Sequence, residues 1–283
     1  MQFRKVFSLI LALAMLLPAL FGCTPATSPD SPTPSSTPES KTVRILFVGN
    51  SYTNIMVPDL FEEFAIAAGY DVEIFSVVKN SWSLTQFADP QDTGGGRLEN
   101  MLSGKNEFDY VVLQEKSIRP ALDEELSLFY SAVRNLTARI EAKGAQTILY
   151  STWGRKTGST ALTDNNLTNE SMTWKVAASY QAIGKELGLP VAYVGLAFYD
   201  VYTNQSKIDV YDPDKTHPSY AGNYLSAATL FATIFQVDPT TVPFIGKLTE
   251  AEATYLREAA RKAVFETPEI PDQYKTTSNG IGT

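Results

Sequence analysis

The chain has 283 residues, with 31 acidic against 23 basic side chains and a net charge of −8. No Lys/Arg cluster interrupts that acidic balance, so the electrostatic footprint of a nucleic-acid binder is missing and that partner class is excluded. A single cysteine leaves no partner for an intrachain disulfide, so the folded part relies on its core alone.

The N-terminus reads as a targeting segment. Arg4 and Lys5 precede an apolar stretch from Val6 to Leu20, which has the length of a signal-peptide core and falls short of the roughly 20 residues of a membrane span. It ends at Leu20-Phe21-Gly22-Cys23, which resembles a bacterial lipobox, with Phe21 bulkier than the small residue usual at its place. The match implies residues 1–23 as a lipoprotein signal peptide, lipidation at Cys23, and an exported chain anchored to the membrane at the bacterial cell surface. An ordinary cysteine in a cleaved secretory signal is the alternative. Residues 24–41 (TPATSPDSPTPSSTPESK) are rich in Pro, Ser and Thr and read as a solvated linker.

From Thr42 to Thr267 the pattern is that of one α/β domain of roughly 225 residues. Val43–Val48 is a short β-branched and apolar run bounded by Gly49, a buried strand. Pro58–Ala68 has helical spacing and a Gly69 stop. Asp71–Val78 reads as the second strand, Arg97–Leu102 as a short helix and Asp109–Gln114 as a third strand buried on both faces. A long helix follows over Leu122–Lys143, then a strand over Ala145–Thr152, a helix over Glu170–Leu187 and a strand over Pro190–Val194. Helices over Ala221–Phe235 and Thr249–Val264 close the domain, and residues 268–283 read as a loose polar tail. Alternating strands and long helices predict a parallel five-stranded sheet in a three-layer α/β/α sandwich, with ligands at the carboxyl ends of the strands. Gly94-Gly95-Gly96 reads as a flexible loop. Without a following Lys-Ser/Thr it is no phosphate-binding loop, so no nucleotide is expected.

The chemistry-bearing residues fall at that edge. Ser51 follows Gly49-Asn50 directly after the first strand, and the only histidine, His217, lies in Asp214-Lys-Thr-His217-Pro218. Serine needs a base to become a nucleophile, histidine is the side chain suited to that role, and a carboxylate three residues away can set its tautomer. Each motif alone also fits ordinary turn and loop chemistry. Trp153 and Arg155, after the fourth strand, are candidate substrate contacts, since an aromatic face packs on a sugar ring and a guanidinium holds oxygen-rich groups. A surface loop with its aromatic packed sideways accounts for them equally.

Taken together, Val48-Gly49-Asn50-Ser51 near the start and Asp214-x-x-His217-Pro218 near the end closely resemble the SGNH (GDSL-like) hydrolase superfamily, over Val43 to about Phe235. Asn50 stands where the family usually has aspartate. The resemblance implies a flavodoxin-like α/β/α fold, no metal or other cofactor, and ester or thioester hydrolysis through an acyl-enzyme, with Ser51, His217 and Asp214 as triad. The family draws further oxyanion donors from a glycine after the second strand and an asparagine in Gly-x-Asn-Asp after the third. Here those places read Val78-Lys-Asn80-Ser81 and Val111-Val-Leu-Gln114-Glu115, a divergent subgroup. The candidate oxyanion donors are therefore the Ser51 N–H, the backbone N–H near Asn80 or Ser81, and the Gln114 amide. The partner expected is a small-molecule or carbohydrate ester, with O-acetyl groups on extracellular carbohydrate as one substrate. The alternative from another class is a non-catalytic surface lipoprotein that binds glycan or a small solute on a hydrolase-like fold.

Overall fold

A computed structural model describes residues 41–278, apart from Ile55 and Ser206. The signal segment, Cys23 and the linker up to residue 40 lie outside the described residues. In chain order the elements are β1 (Val43–Gly49), α1 (Ser51–Asn54), α2 (Val57–Ala67), β2 (Val72–Val78), α3 (Leu84–Ala88), α4 (Thr93–Ser103), β3 (Tyr110–Leu113), α5 (Leu126–Glu141), β4 (Gln146–Tyr150), α6 (Thr160–Asp164), α7 (Asn169–Leu187), β5 (Val191–Ala192), α8 (Val194–Asn204), α9 (Tyr220–Phe235) and α10 (Glu250–Phe265).

All five strands are parallel, in the order β2-β1-β3-β4-β5. The centre of the sheet is buried on both faces because successive strand residues point to opposite sides. Ile45, Phe47, Val112, Ile148 and Tyr150 pack under α2, α8, α9 and α10, whereas Leu46, Val48, Val111, Leu113 and Leu149 pack under α4, α5 and α7. This is the three-layer α/β/α sandwich that the alternation of apolar runs predicts. Helix α9 is buried almost throughout, and its Ser226, Thr229 and Thr233 hydroxyls bond back to carbonyls one turn earlier. That local satisfaction lets polar residues sit in a dry layer. No helix among the described residues is long and apolar enough to cross a membrane.

Several expectations change. The glycine run 94–96 is not a loop but the first turn of α4. A side chain at Gly94 would strike the Trp82 ring, and one at Gly95 the Asp89 carbonyl. Close packing selects glycine here, and composition alone reads that as looseness. Helix α8 has no counterpart among the elements that the sequence predicts, since its Gly, Phe, Tyr and Val residues have low helix propensity. The described part of the tail is docked rather than loose. Ile270 is buried, the Ser278 hydroxyl donates to the Ala182 carbonyl at 3.3 Å, and Arg134 donates to the Ser278 carbonyl at 3.1 Å.

Candidate active site

Parallel order brings the ends of β1, β2, β3 and β4 to one edge, and the candidate residues follow directly after them. Gly49 ends β1 and the chain turns at once into α1. The Asn50 carbonyl accepts from the N–H groups of Thr53 and Asn54, at 3.0 and 2.9 Å, while its Oδ1 accepts from the Tyr52 N–H at 3.2 Å. Ser51 therefore sits at the first position of a tight helical turn, half-buried.

The other half of the site comes from the loop before α9. This loop is folded on itself by an isolated antiparallel bridge between Tyr211 and Pro218 and by the Asp212 N–H, which donates to the His217 carbonyl at 2.9 Å. Lys215 takes a left-handed φ of 63° at the tip. Asp214 Oδ1 accepts from the N–H groups of Thr216 and His217, both at 2.9 Å, which leaves Oδ2 to meet His217 Nδ1 at 2.6 Å. His217 Nε2 lies 2.9 Å from Ser51 Oγ. Two segments 166 residues apart thus form one hydrogen-bonded line from carboxylate to imidazole to hydroxyl. Partial burial raises the Asp214 carboxyl, but the His217 ring and the two N–H donors outweigh it and hold the group below the ordinary carboxylate value. An ionised Asp214 fixes the proton of the neutral imidazole on Nδ1 and leaves Nε2 free to accept one from Ser51.

The oxyanion candidates fare differently. Gln114 is fully buried beneath the Ser51 turn. Its Oε1 accepts from the Asn50 N–H and the Thr53 hydroxyl, both at 2.9 Å, and its Nε2 donates to the Glu115 carbonyl. Both ends of the amide are committed inside the protein, so Gln114 is not an oxyanion donor but a brace for the turn. Asn80 lies in an exposed turn after β2, next to Ser81 at φ 65°. That turn is clamped to the Ser51 segment, since Lys79 N–H donates to the Gly49 carbonyl at 3.1 Å and Asn50 Nδ2 to the Trp82 carbonyl at 2.8 Å.

Trp153 does not line a cleft. It is 0% exposed, stacked on Phe198 at 4.1 Å, and its Nε1 donates to the Thr216 carbonyl at 3.1 Å. A ring with no open face cannot meet a sugar, so Trp153 instead supports the loop that carries Asp214 and His217. Arg155 is half-buried, with its guanidinium close to the Tyr52 hydroxyl.

Sequence reasoning missed four participants. Asn50 needs an amide because its side chain donates to Trp82 and accepts from Tyr52, a dual role that the family's usual aspartate cannot fill. Tyr52 packs between Trp153, at 4.7 Å, and the His217 ring, at 5.5 Å. Thr53 anchors α1 to Gln114. Glu115, fully buried, accepts from the Leu84 N–H at 3.2 Å and the Lys116 N–H at 2.5 Å, tying α3 to the end of β3. The juxtaposition of Gln114 and Glu115 after an apolar strand was the available signal.

No family model matches the chain, and neither does any curated protein. Solved structures do. A proposed SGNH hydrolase from Slackia heliotrinireducens is 26% identical, with a TM-score of 0.61 over 69% of this chain and 100% of that one. A DUF4886 family protein from Bacteroides uniformis superposes with a TM-score of 0.71 at 17% identity, over 82% and 98% of the two chains. A variant of an acetyl-xylooligosaccharide esterase from Geobacillus gives 0.50 at 13% identity, over 69% and 96%. The fold is common to all three. Combined with a serine after β1 that faces an Asp-x-x-His loop from the far end of the sequence, the likeness to the Slackia protein places this chain in the SGNH/GDSL-like hydrolase superfamily.

Proposed function

We propose that the chain is a serine esterase that works through an acyl-enzyme on Ser51. The observation that carries this reading is the 2.9 Å contact between Ser51 Oγ and His217 Nε2, with Asp214 Oδ2 2.6 Å from the other ring nitrogen. Ser51 Oγ attacks the ester carbonyl while His217 Nε2 takes its proton, and Asp214 stabilises the imidazolium that forms. His217 then gives the proton to the departing alkoxide, and water enters by the same route to release the acid. The Ser51 N–H, at the first position of α1, is one oxyanion donor. The backbone N–H groups at Asn80 and Ser81 are the second, supported by the two contacts that clamp their turn to residues 49 and 50.

O-acetyl groups on extracellular carbohydrate are the proposed substrate. The reading draws on the acetyl-xylooligosaccharide esterase among the structural neighbours and on a lipobox that would hold the enzyme at the cell surface through Cys23. Hydrolysis of 4-nitrophenyl acetate by the full chain in neutral detergent, lost in Ser51→Ala, tests the esterase reading. Retention of a Cys23→Ser variant in the membrane fraction would contradict the anchor.

One observation favours the second reading, a binding lipoprotein without turnover. With the Gln114 amide committed to Glu115, the side-chain oxyanion donor that the family supplies after β3 has no counterpart at that position. Folded protein that binds acetylated glycan yet leaves acetyl esters intact would decide for it.

A further inference from the structure

Arg155 differs from the other partly buried arginines. Six described arginines each pair with a glutamate. Arg155 makes no ion pair among the described residues, and its Nε is cut off from solvent without a hydrogen-bond partner. A guanidinium held half out of water with no counter-charge is costly, and a site that keeps one is built for an anion supplied from outside.

Its position gives that anion a use. The Trp153 Nε1 donates to the Thr216 carbonyl at 3.1 Å and the Lys156 N–H to the Lys215 carbonyl at 3.0 Å, so residues 153–156 run along the loop that carries Asp214 and His217. Tyr52, only 4% exposed, lies with its ring 5.5 Å from the His217 ring. Burial raises the Tyr52 phenol; the Arg155 guanidinium opposes that rise by its charge and by a hydrogen bond, as does a hydrogen bond with Ser117 from the segment after β3, while Asp214 adds to it. A cation without a carboxylate partner therefore stands beside Tyr52, whose ring packs against that of His217.

We propose that Arg155 forms a subsite for a carboxylate on the substrate, so that the preferred substrate is an acidic ester rather than a neutral one. The guanidinium fork takes both oxygens of the carboxylate. This rests on the esterase reading and narrows its substrate. The carboxylate belongs either to the alcohol portion, as in an acetylated uronic acid, or to the far end of the acyl chain.

Two matched pairs of substrates separate these sources, used on the full chain in neutral detergent. Acetylated methyl glucuronoside is compared with acetylated methyl glucoside, and 4-nitrophenyl hemisuccinate with 4-nitrophenyl butyrate. The wild type prefers the acidic member of one pair by about 10-fold or more in kcat/KM. Arg155→Gln brings that ratio close to one, mainly by raising KM for the acidic member, and Arg155→Lys restores part of it. Equal use of both members by the wild type, or equal losses on both in Arg155→Gln, overturns the subsite. Ser51-dependent hydrolysis of 4-nitrophenyl acetate alongside either result leaves the esterase reading standing. Its absence removes both.

Discussion

Gln114 Oε1 accepts the Asn50 backbone N–H at 2.9 Å from directly beneath the turn that presents Ser51. The same oxygen accepts the Thr53 hydroxyl, and a Cβ on Gly49 would come within 2.6 Å of it. Glycine at 49 and glutamine at 114 are therefore one device: the first leaves room for the second, and the second fixes the geometry of the nucleophile turn.

Gln114→Met, similar in length but without the hydrogen bonds, should cost about 1–3 kcal/mol, because it orphans a buried N–H and a buried hydroxyl. Melting temperature and the rate of Ser51 acylation should fall together. A side chain that acted only on the oxyanion would lower the rate and leave the melting temperature in place. Gly49→Ala should reproduce the combined defect.

Trp153 offers the converse test. As a buried ring stacked on Phe198, its truncation to alanine should destabilise the fold by about 3–5 kcal/mol, read by thermal or denaturant unfolding. Trp153→Phe should keep much of the stability and leave KM for acetylated sugars near the wild-type value. A large KM increase with an intact melting curve would return Trp153 to the substrate site.

Asp214→Asn should lower kcat/KM on 4-nitrophenyl acetate by about 10²–10⁴-fold, since an amide no longer fixes the Nδ1–H tautomer or stabilises the imidazolium. The Ser51→Ala and His217→Ala losses should be larger, and their combination no worse than either alone. Additive losses in the double variant would mean that the two side chains do not act as a unit.

Glu115 should impose a pH dependence on stability. Burial raises its carboxyl to about 7, although Arg119 and the Lys116 and Leu84 N–H groups favour the charged form, while Glu125 adds to the rise. The folded state therefore holds a proton that the unfolded chain releases above its ordinary value near 4.5. This contribution to stability is complete below that value, declines as pH rises towards 7, and is absent above it. The carboxylates held low, Asp214, Asp109 and Glu186, act in the opposite sense and only at lower pH. Thermal unfolding between pH 5 and 8 should show the wild type losing stability as pH rises, with a flatter profile in Glu115→Gln. Parallel profiles would contradict a protonated Glu115.

Much of this architecture was legible because it rests on periodicity. The β1 run of apolar residues, the Gly69 stop and the alternation of strands with long helices each reflect a local rule, and the sheet follows from them. Ser51, His217 and Asp214 were legible because motifs at both ends of the chain coincide with strand-end and pre-helix positions. What stayed hidden depends on neighbours distant in sequence. Whether Trp153 is a platform or a pillar is decided by Phe198 and Thr216, and whether Gln114 faces substrate or backbone is decided by Asn50. Glycines 94 to 96 look mobile until Trp82 and Asp89 are placed against them.

The most direct test of the central claim is covalent labelling of the folded chain with a fluorophosphonate, with the adduct mapped by mass spectrometry. The account predicts a single adduct on Ser51 that disappears in His217→Ala, as expected for a hydroxyl activated by the imidazole 2.9 Å away. Well-folded protein that takes no label, or takes it at another serine, would contradict an activated Ser51.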